Sequence, residues 1–237
     1  MLAVDASGKS ASVALVSDGE LVGEMNLHAG YTHSETLLPM IDELLSATRT
    51  PIRAVDLFAV TVGPGSFTGL RIGIATVKGL AFPGNIPCVP VSTLEAAAMN
   101  LADADGVVCA ALDARRDQVY AALFEGRKGK LVRLFEDEPI SLAQLEGRLA
   151  QTEGQPVRLV GDGATLVQNA LGDRIPDVRL ASEALRLPRA SSVARVAMEH
   201  LADAIPGDQL MPRYLRLSQA ERERQAKQET DPDRQGL

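Results

Sequence analysis

The stretch Gly63-Pro64-Gly65-Ser66-Phe67-Thr68-Gly69-Leu70-Arg71-Ile72-Gly73 decides how this chain is read. An apolar run from Leu57 to Val62 leads into it and reads as a buried strand. Gly-Pro-Gly-Ser is turn chemistry. A helix follows from about Thr68 to about Phe82, with Thr68 as its N-cap and Phe67 set to pack on Ile72 as a hydrophobic staple. Its interior carries Gly69, Gly73, Ala75 and Gly79. A helical glycine costs about 1 kcal/mol relative to alanine, so something must offset them. Close backbone approach to a ligand or partner is one offset; tight packing of helix on sheet is the other.

Working outward, Met1–Ala6, Ala11–Val16 and Glu20–Leu27 alternate with turns at Ser7–Ser10 and Asp18-Gly19, the pattern of an antiparallel meander. Leu37, Leu38, Met40, Ile41, Leu44 and Leu45 fall at helical spacing between His33 and Ala47. Downstream of the central helix, Ile86–Val91 reads as a strand, and Ser92-Thr93-Leu94-Glu95 as a capping box opening a helix to about Ala102. Asp103-Ala104-Asp105-Gly106 marks a boundary. After it the opening pattern returns: strands at Val107–Leu112, Asp117–Phe124 and Lys130–Phe135. Aligning Asp5-Ala6 with Asp113-Ala114 sets Ala14-Leu15 on Ala122-Leu123, which suggests two lobes of related topology. Helices at 142–151, 164–171 and 191–204 and a strand at Val157–Val160 complete an α/β chain. Its expected divisions are residues 1–103, residues 104–217 and a polar tail, 218–237, read as frayed helix and then disorder. Two such lobes are the build of actin-like ATPases.

Composition narrows the chemistry. Thirty-one acidic residues outnumber 24 basic ones, giving a net charge of -7, and tryptophan is absent. This is a poor profile for a chain that binds nucleic acid alone. Cys88 and Cys109 stand singly in apolar runs without metal spacing, as reduced buried thiols do. No stretch is long and apolar enough to suggest a membrane span or a secretion signal, and a cytoplasmic protein is expected.

In an actin-like frame, Asp5-Ala6-Ser7-Gly8-Lys9-Ser10 occupies the place of a phosphate loop, where bare backbone N–H groups meet phosphate and the strand-end carboxylate orients Mg²⁺ through water. A plain hairpin turn explains the same residues. The mirror loop, Asp113-Ala114-Arg115-Arg116-Asp117, keeps the aspartate but has no glycine, which weakens any case for ATP hydrolysis. The central turn is no Walker loop: no Lys-Ser/Thr pair follows its glycines, and Lys78 lies roughly 13 Å along the helix from Gly69. Gly161-Asp162-Gly163 fits either a remnant adenosine loop or a strand-to-helix turn. His33 lacks a histidine four residues on, where Leu37 stands, so no metal pair forms on that helix. No nucleophile elbow or Ser-His-Asp set is present.

The sequence resembles the TsaB (YeaZ) family. The likeness is carried by Leu2–Ser7, by His33-Ser34-Glu35 with Leu37–Ile41, and by Gly63–Gly73 continuing through Lys78–Ala81. It extends over Val91–Glu95, Leu112–Arg116 and Pro212–Arg216. The resemblance implies an actin-like fold and a role as the non-catalytic partner and activator of the paralogous transferase TsaD. The two, with the ATPase TsaE, form N6-threonylcarbamoyladenosine beside the anticodon of tRNAs that read codons beginning with A. It further implies pairing through the first lobe's helices, by way of His33, Glu35, Leu37, Leu38, Ile41, Gly69, Arg71, Ile72, Gly73, Thr76 and Val77. Homodimers would use the same face, tRNA would be met only through the complex, and no cofactor or membrane is implied. Asp5, Ser7, Ser10 and Asp113 become a degenerate nucleotide loop. The competing expectation is an active small ATPase or kinase that uses Asp5 and Asp113 with Mg-ATP; the family's older peptidase label finds no residue here to support it.

Overall fold

The computed structural model describes residues 1–152 and 154–216. Two mixed sheets carry the chain. The first is built from β1 (Leu2–Asp5), β2 (Ala11–Ser17), β3 (Glu20–Leu27), β4 (Phe58–Gly63) and β5 (Pro87–Ser92), with α1 (His33–Ala47) and α2 (Phe67–Ala81) between them and α3 (Thr93–Met99) after. The second contains β6 (Val107–Asp113), β7 (Gln118–Arg127), β8 (Lys130–Ser141), β9 (Val157–Val160) and β10 (Val178–Leu180). With it go α4 (Leu142–Ala150), α5 (Ala164–Leu171) and α6 (Glu183–Arg186); α7 (Ala190–Glu199) and β11 (Ile205–Pro206) close the chain.

The strand orders are β11-β5-β4-β1-β2-β3 and β10-β9-β6-β7-β8. Within them β3-β2-β1-β4-β5 and β8-β7-β6-β9-β10 match strand for strand. The meanders are antiparallel and the later strands parallel in both. The duplication is therefore architectural. The pairing differs by one residue from the sequence alignment: Ala3 faces Ala14, while Ala111 faces Ala121, not Ala122. Asp5 opposes Ser12 and Asp113 opposes Val119, so the second hairpin loop is one residue shorter. Fixed-offset alignment could not see that deletion.

The layers follow from the burial pattern. The stripe of α1 (Leu37, Met40, Ile41, Leu44, Leu45) and the inner side of α2 (Ile74, Val77, Ala81) cover one face of the first sheet. The other face meets α3 and α7 through Ala96, Met99, Val193 and Val196. Helix α3 turns Leu94, Ala97 and Ala98 onto the second sheet, whose far face is covered by α4 and α5. Helix α3 is thus shared between the lobes. Residues from Ala190 onward return to the first lobe: α7 packs beneath its sheet, and β11 pairs with β5 at its edge. A simple division at 103/104 misses this return, because contact across 100 residues leaves no mark in local composition.

Several local expectations shift. Ser66, not Thr68, caps α2, its hydroxyl accepting from Gly69 N–H. Phe67 begins the helix and stacks on Tyr214 instead of stapling Ile72. Ser92 caps α3 as expected, but the Glu95 carboxylate leaves the cap to bind Arg133 and His200, so the box is half made. The last long helix begins at Ala190 and ends at Glu199, with a short 3-10 turn at Leu201–Asp203. Strand β10 and α6 were not foreseen. The expected tail, 218–237, lies outside the described residues.

One ion pair fastens the returning segment. Glu24 on β3 accepts from Arg189 through Nε at 3.0 Å and from Ser191 N–H at 2.8 Å, just before and inside α7. Burial alone would raise the Glu24 pKa, but Arg189 and Ser191 outweigh it and hold the carboxyl below its ordinary value of 4.5. A depressed acid contributes stability above its unfolded-state pKa and loses it as pH falls through the folded one. Glu24→Gln is therefore expected to cost about 2 kcal/mol at pH 7. The gap to the parent should close as unfolding is followed by urea titration from pH 5 downward.

Candidate functional site

The turn of residues 63–66, the loop of residues 7–10 and the start of α1 meet at the C-terminal end of β1 and β4. Asp5 ends β1 and is fully buried. Its Oδ1 accepts from Ser7 N–H at 3.2 Å, Ser7 Oγ at 2.7 Å and Thr61 Oγ1 at 2.7 Å. Its Oδ2 is enclosed without a partner among the described residues. Burial pushes the Asp5 carboxyl above its ordinary value, and the Ser7 and Thr61 bonds oppose that only in part. A carboxylate that orients a hydrated cation must show an oxygen to water; this one does not.

The loop that follows is closed from above. Ser66 N–H donates to Ser7 O at 2.7 Å. A Cβ at Gly65 would stand 2.4 Å from Ser7 O, and one at Gly69 would stand 2.0 Å from Ala6 O. The glycines of the central stretch are therefore used, at these two positions, to bring the turn and α2 into backbone contact with the loop. His33 Nε2 lies 2.8 Å from Gly8 O. A carbonyl only accepts, so Nε2 carries the proton, and the imidazole is a clamp on the loop. Ser7 and Ser10 are both buried. The chain's own turn thus packs on the Ala6-Ser7 end of the loop, while Gly8 and Lys9 stay at the surface.

Asp113 lies at the equivalent end of β6 and is exposed, part of the opposite lobe. Its N–H donates to Asp162 Oδ1 at 3.0 Å. Gly161, at φ +100°, and Gly163 would each push a Cβ into the backbone of Ala111–Asp113. The Gly161-Asp162-Gly163 turn is therefore explained by strand-to-helix packing. Between the lobes, Pro64, Gly65, Phe67, Tyr120 and residues 213–216 line a shallow open depression that encloses no space for a small molecule.

The residues expected at a partner face divide in two. Leu37, Ile41 and Val77 are buried in the first lobe's own core, and Gly69 and Gly73 face Ala6, just after β1, with Val60 of β4 beside Gly73. These five hold the helices in place and present nothing outward. Glu35 is exposed but turns its carboxylate to the Thr32 N–H and hydroxyl, capping α1. Leu38 and Arg71 are exposed, while His33, Ile72 and Thr76 are half-buried. With Thr68, Ala75 and Gly79, also exposed, they give α2 a low outer surface beside Leu38. Thr68, Ala75 and Gly79 are the positions of this surface that the expected interface set omitted, and the small-residue pattern singles out the last two. Among the described residues, no group of three or more His, Cys, Asp or Glu side chains gathers as a metal site, and no helix is long and apolar enough to cross a membrane.

Comparison with known proteins gives this geometry a lineage. The family model described as "TsaD: tRNA N6-adenosine threonylcarbamoyltransferase" matches residues 27–224. The tRNA threonylcarbamoyladenosine biosynthesis protein TsaB of Bacillus subtilis (strain 168) is 32% identical over 222 residues, covering 93% of this chain and 96% of that protein. The protein of the same name from Escherichia coli (strain K12) is 32% identical over 221 residues, 91% of this chain and 94% of its own. A tRNA N6-adenosine threonylcarbamoyltransferase of Geotalea uraniireducens (strain Rf4) is 32% identical over 111 residues, 40% of this chain and 32% of that enzyme. The solved structure of YeaZ from Pseudomonas aeruginosa superposes with a TM-score of 0.75 at 28% identity, over 90% of this chain and 98% of that one. The duplicated sheets, the actin-like arrangement and full-length relatives at this identity agree, and the chain belongs to the TsaB (YeaZ) family.

Proposed function

We infer that this chain takes part in tRNA threonylcarbamoyladenosine synthesis as a non-catalytic partner that binds and activates a TsaD-type transferase. The observation that carries the reading is the sealed loop. Asp5 has no oxygen open to water, and Ser7 and Gly8 carbonyls are engaged by Ser66 and His33. A phosphate loop works with bare N–H groups and an accessible carboxylate, and the carboxylate here is enclosed. The outer surface of α1 and α2 is open to a partner. The partner belongs to the same extended family, as the match to the transferase model indicates. A pseudo-symmetric pairing of related helices is the economical geometry, and the homodimer of the isolated chain would use the same face. A TsaE-type ATPase joins the larger complex.

The competing reading, a small ATPase or kinase, draws on Asp5 and Asp113 at equivalent strand ends. Calorimetry of the purified chain with Mg-ATP separates the two. No heat of binding is expected up to millimolar nucleotide. Saturable binding accompanied by phosphate release would instead assign the chain an activity of its own.

A further inference from the structure

One strip of surface is basic and aromatic in a chain whose net charge is -7. It begins on the segment after Leu210, which lies across the central turn, Arg213 N–H donating to Val62 O at 2.7 Å. Tyr214 stacks on Phe67 with ring centroids 4.3 Å apart, and Arg71 Nε–H donates to the Tyr214 hydroxyl at 2.8 Å. Two residues on, Arg216 crosses to the second lobe. Its guanidinium sits 5.7 Å from the Tyr120 ring centre and donates to Ala114 O at 3.0 Å. Arg115 and Arg116 follow Ala114, and both are exposed. Two of the chain's three tyrosines and five arginines thus lie on this segment or next to its contacts.

The strip is built to hold its charges outward. Arg115, Arg116 and Asp117 have φ of 65°, 56° and 54°. Three successive left-handed residues that are not glycine cost about 1–2 kcal/mol each. Arg116 and Arg213 have no ion-pair partner among the described residues, and Arg115 meets Asp113 only at 3.8 Å. The depression lined by Tyr120, Arg213, Tyr214 and Arg216 is too shallow to enclose a nucleotide, yet a strand could lie across it. Guanidinium forks take phosphate oxygens in pairs, and tyrosine faces accept bases of any identity.

We propose that this arginine–tyrosine strip is a contact surface for the phosphodiester backbone of RNA, bridging the two lobes from the edge of the α1/α2 face at Arg71. The inference rests on the function proposed above, which supplies an RNA, but it assigns to this chain a contact of its own. An acidic protein segment is the other polyanion the arginines could take. The surrounding tyrosines favour RNA.

The test uses the full chain, alone and bound to its TsaD-type partner, titrated against a fluorescein-labelled unmodified tRNA transcript at several salt concentrations. R116E/R213E is expected to weaken binding about tenfold or more, and R116Q/R213Q to lower the salt slope by about 1.4–1.8, at roughly 0.7–0.9 per lost phosphate contact. Lys130→Glu, at the start of β8 opposite the last residue of β7, should bind as the parent does. Melting curves check that each variant is folded. Parent-like affinity in the two arginine variants, absence of RNA binding in both preparations, or a loss of transferase affinity in place of RNA affinity would each overturn the proposal. Transferase activity measured in parallel separates the two claims. If the chain never stimulates transfer, the partner reading fails, whatever the titration shows. Stimulated transfer with unaltered RNA affinity removes the strip alone.

Discussion

Gly69→Ala is expected to lower the melting temperature by roughly 6–12 °C, the equivalent of about 3 kcal/mol in a chain of this size. The added Cβ would stand 2.0 Å from Ala6 O and 3.1 Å from the His33 ring. The first contact is backbone and cannot swing aside, so α2 must lift from the loop it seals or β1 must shift in a filled core. Gly79→Ala, on the same helix, meets nothing within 4 Å. There alanine should be neutral to stabilising by up to about 1 kcal/mol, since only the helical propensity changes. Thermal and urea unfolding of the two variants side by side would measure the contrast. Equal effects would mean that the close approach at Gly69 does not constrain the fold.

Ala75→Glu should leave unfolding within about 0.5 kcal/mol of the parent while weakening the complex with a TsaD-type transferase about a hundredfold. Ala75 is exposed between Arg71 and Gly79 on the outer side of α2. A glutamate there places a charge and four extra heavy atoms on a surface whose only relief is small residues. Gly73 is the wrong site for this experiment. Its Cβ position is 3.3 Å from Ala6 Cβ, so a bulky residue would press on the chain's own strand and confuse binding with folding. Titration calorimetry of the complex, paired with a melting curve, reads both quantities. An unchanged dissociation constant would remove this face from the partner interface.

Much of the fold could be read locally. The apolar run before Gly63, the six-residue stripe of α1 and the two Asp-Ala hairpins gave the strands, the helix and the duplication, because each is a pattern of neighbours. What escaped is non-local. Ala190 N–H donates to Ser12 Oγ at 2.9 Å across 178 residues, and nothing around Ala190 announces that. The cap of α2 was misplaced by two residues because Ser66 and Thr68 are both good caps, and only Phe67 packing on Tyr214 decides between them. At the candidate site, Asp5, Ser7 and Ser10 were found by their place after the first strand, but their closure by Ser66 and His33 could not be. The helical face was likewise half legible: spacing marks which residues share a stripe, and it cannot say that Leu37, Ile41 and Val77 face inward while Ala75 faces out.

The return of α7 and β11 to the first lobe has a consequence for how the protein is made. A chain leaving the ribosome at about 5–20 residues per second would complete β1 to α3 some 4–18 s before Ala190 follows. Through that interval Ala3, Ala14, Ala59 and Val89, which α7 covers in the finished protein, would lack one of their covers. The edge of β5 would stand open until Ile205 and Pro206 pair with it. The central turn also waits, since Arg213 is what occupies the Val62 carbonyl. The α1/α2 face is therefore rigidly backed only once the chain has emerged as far as Arg213, and a transferase that docks there would be selecting finished molecules over nascent ones.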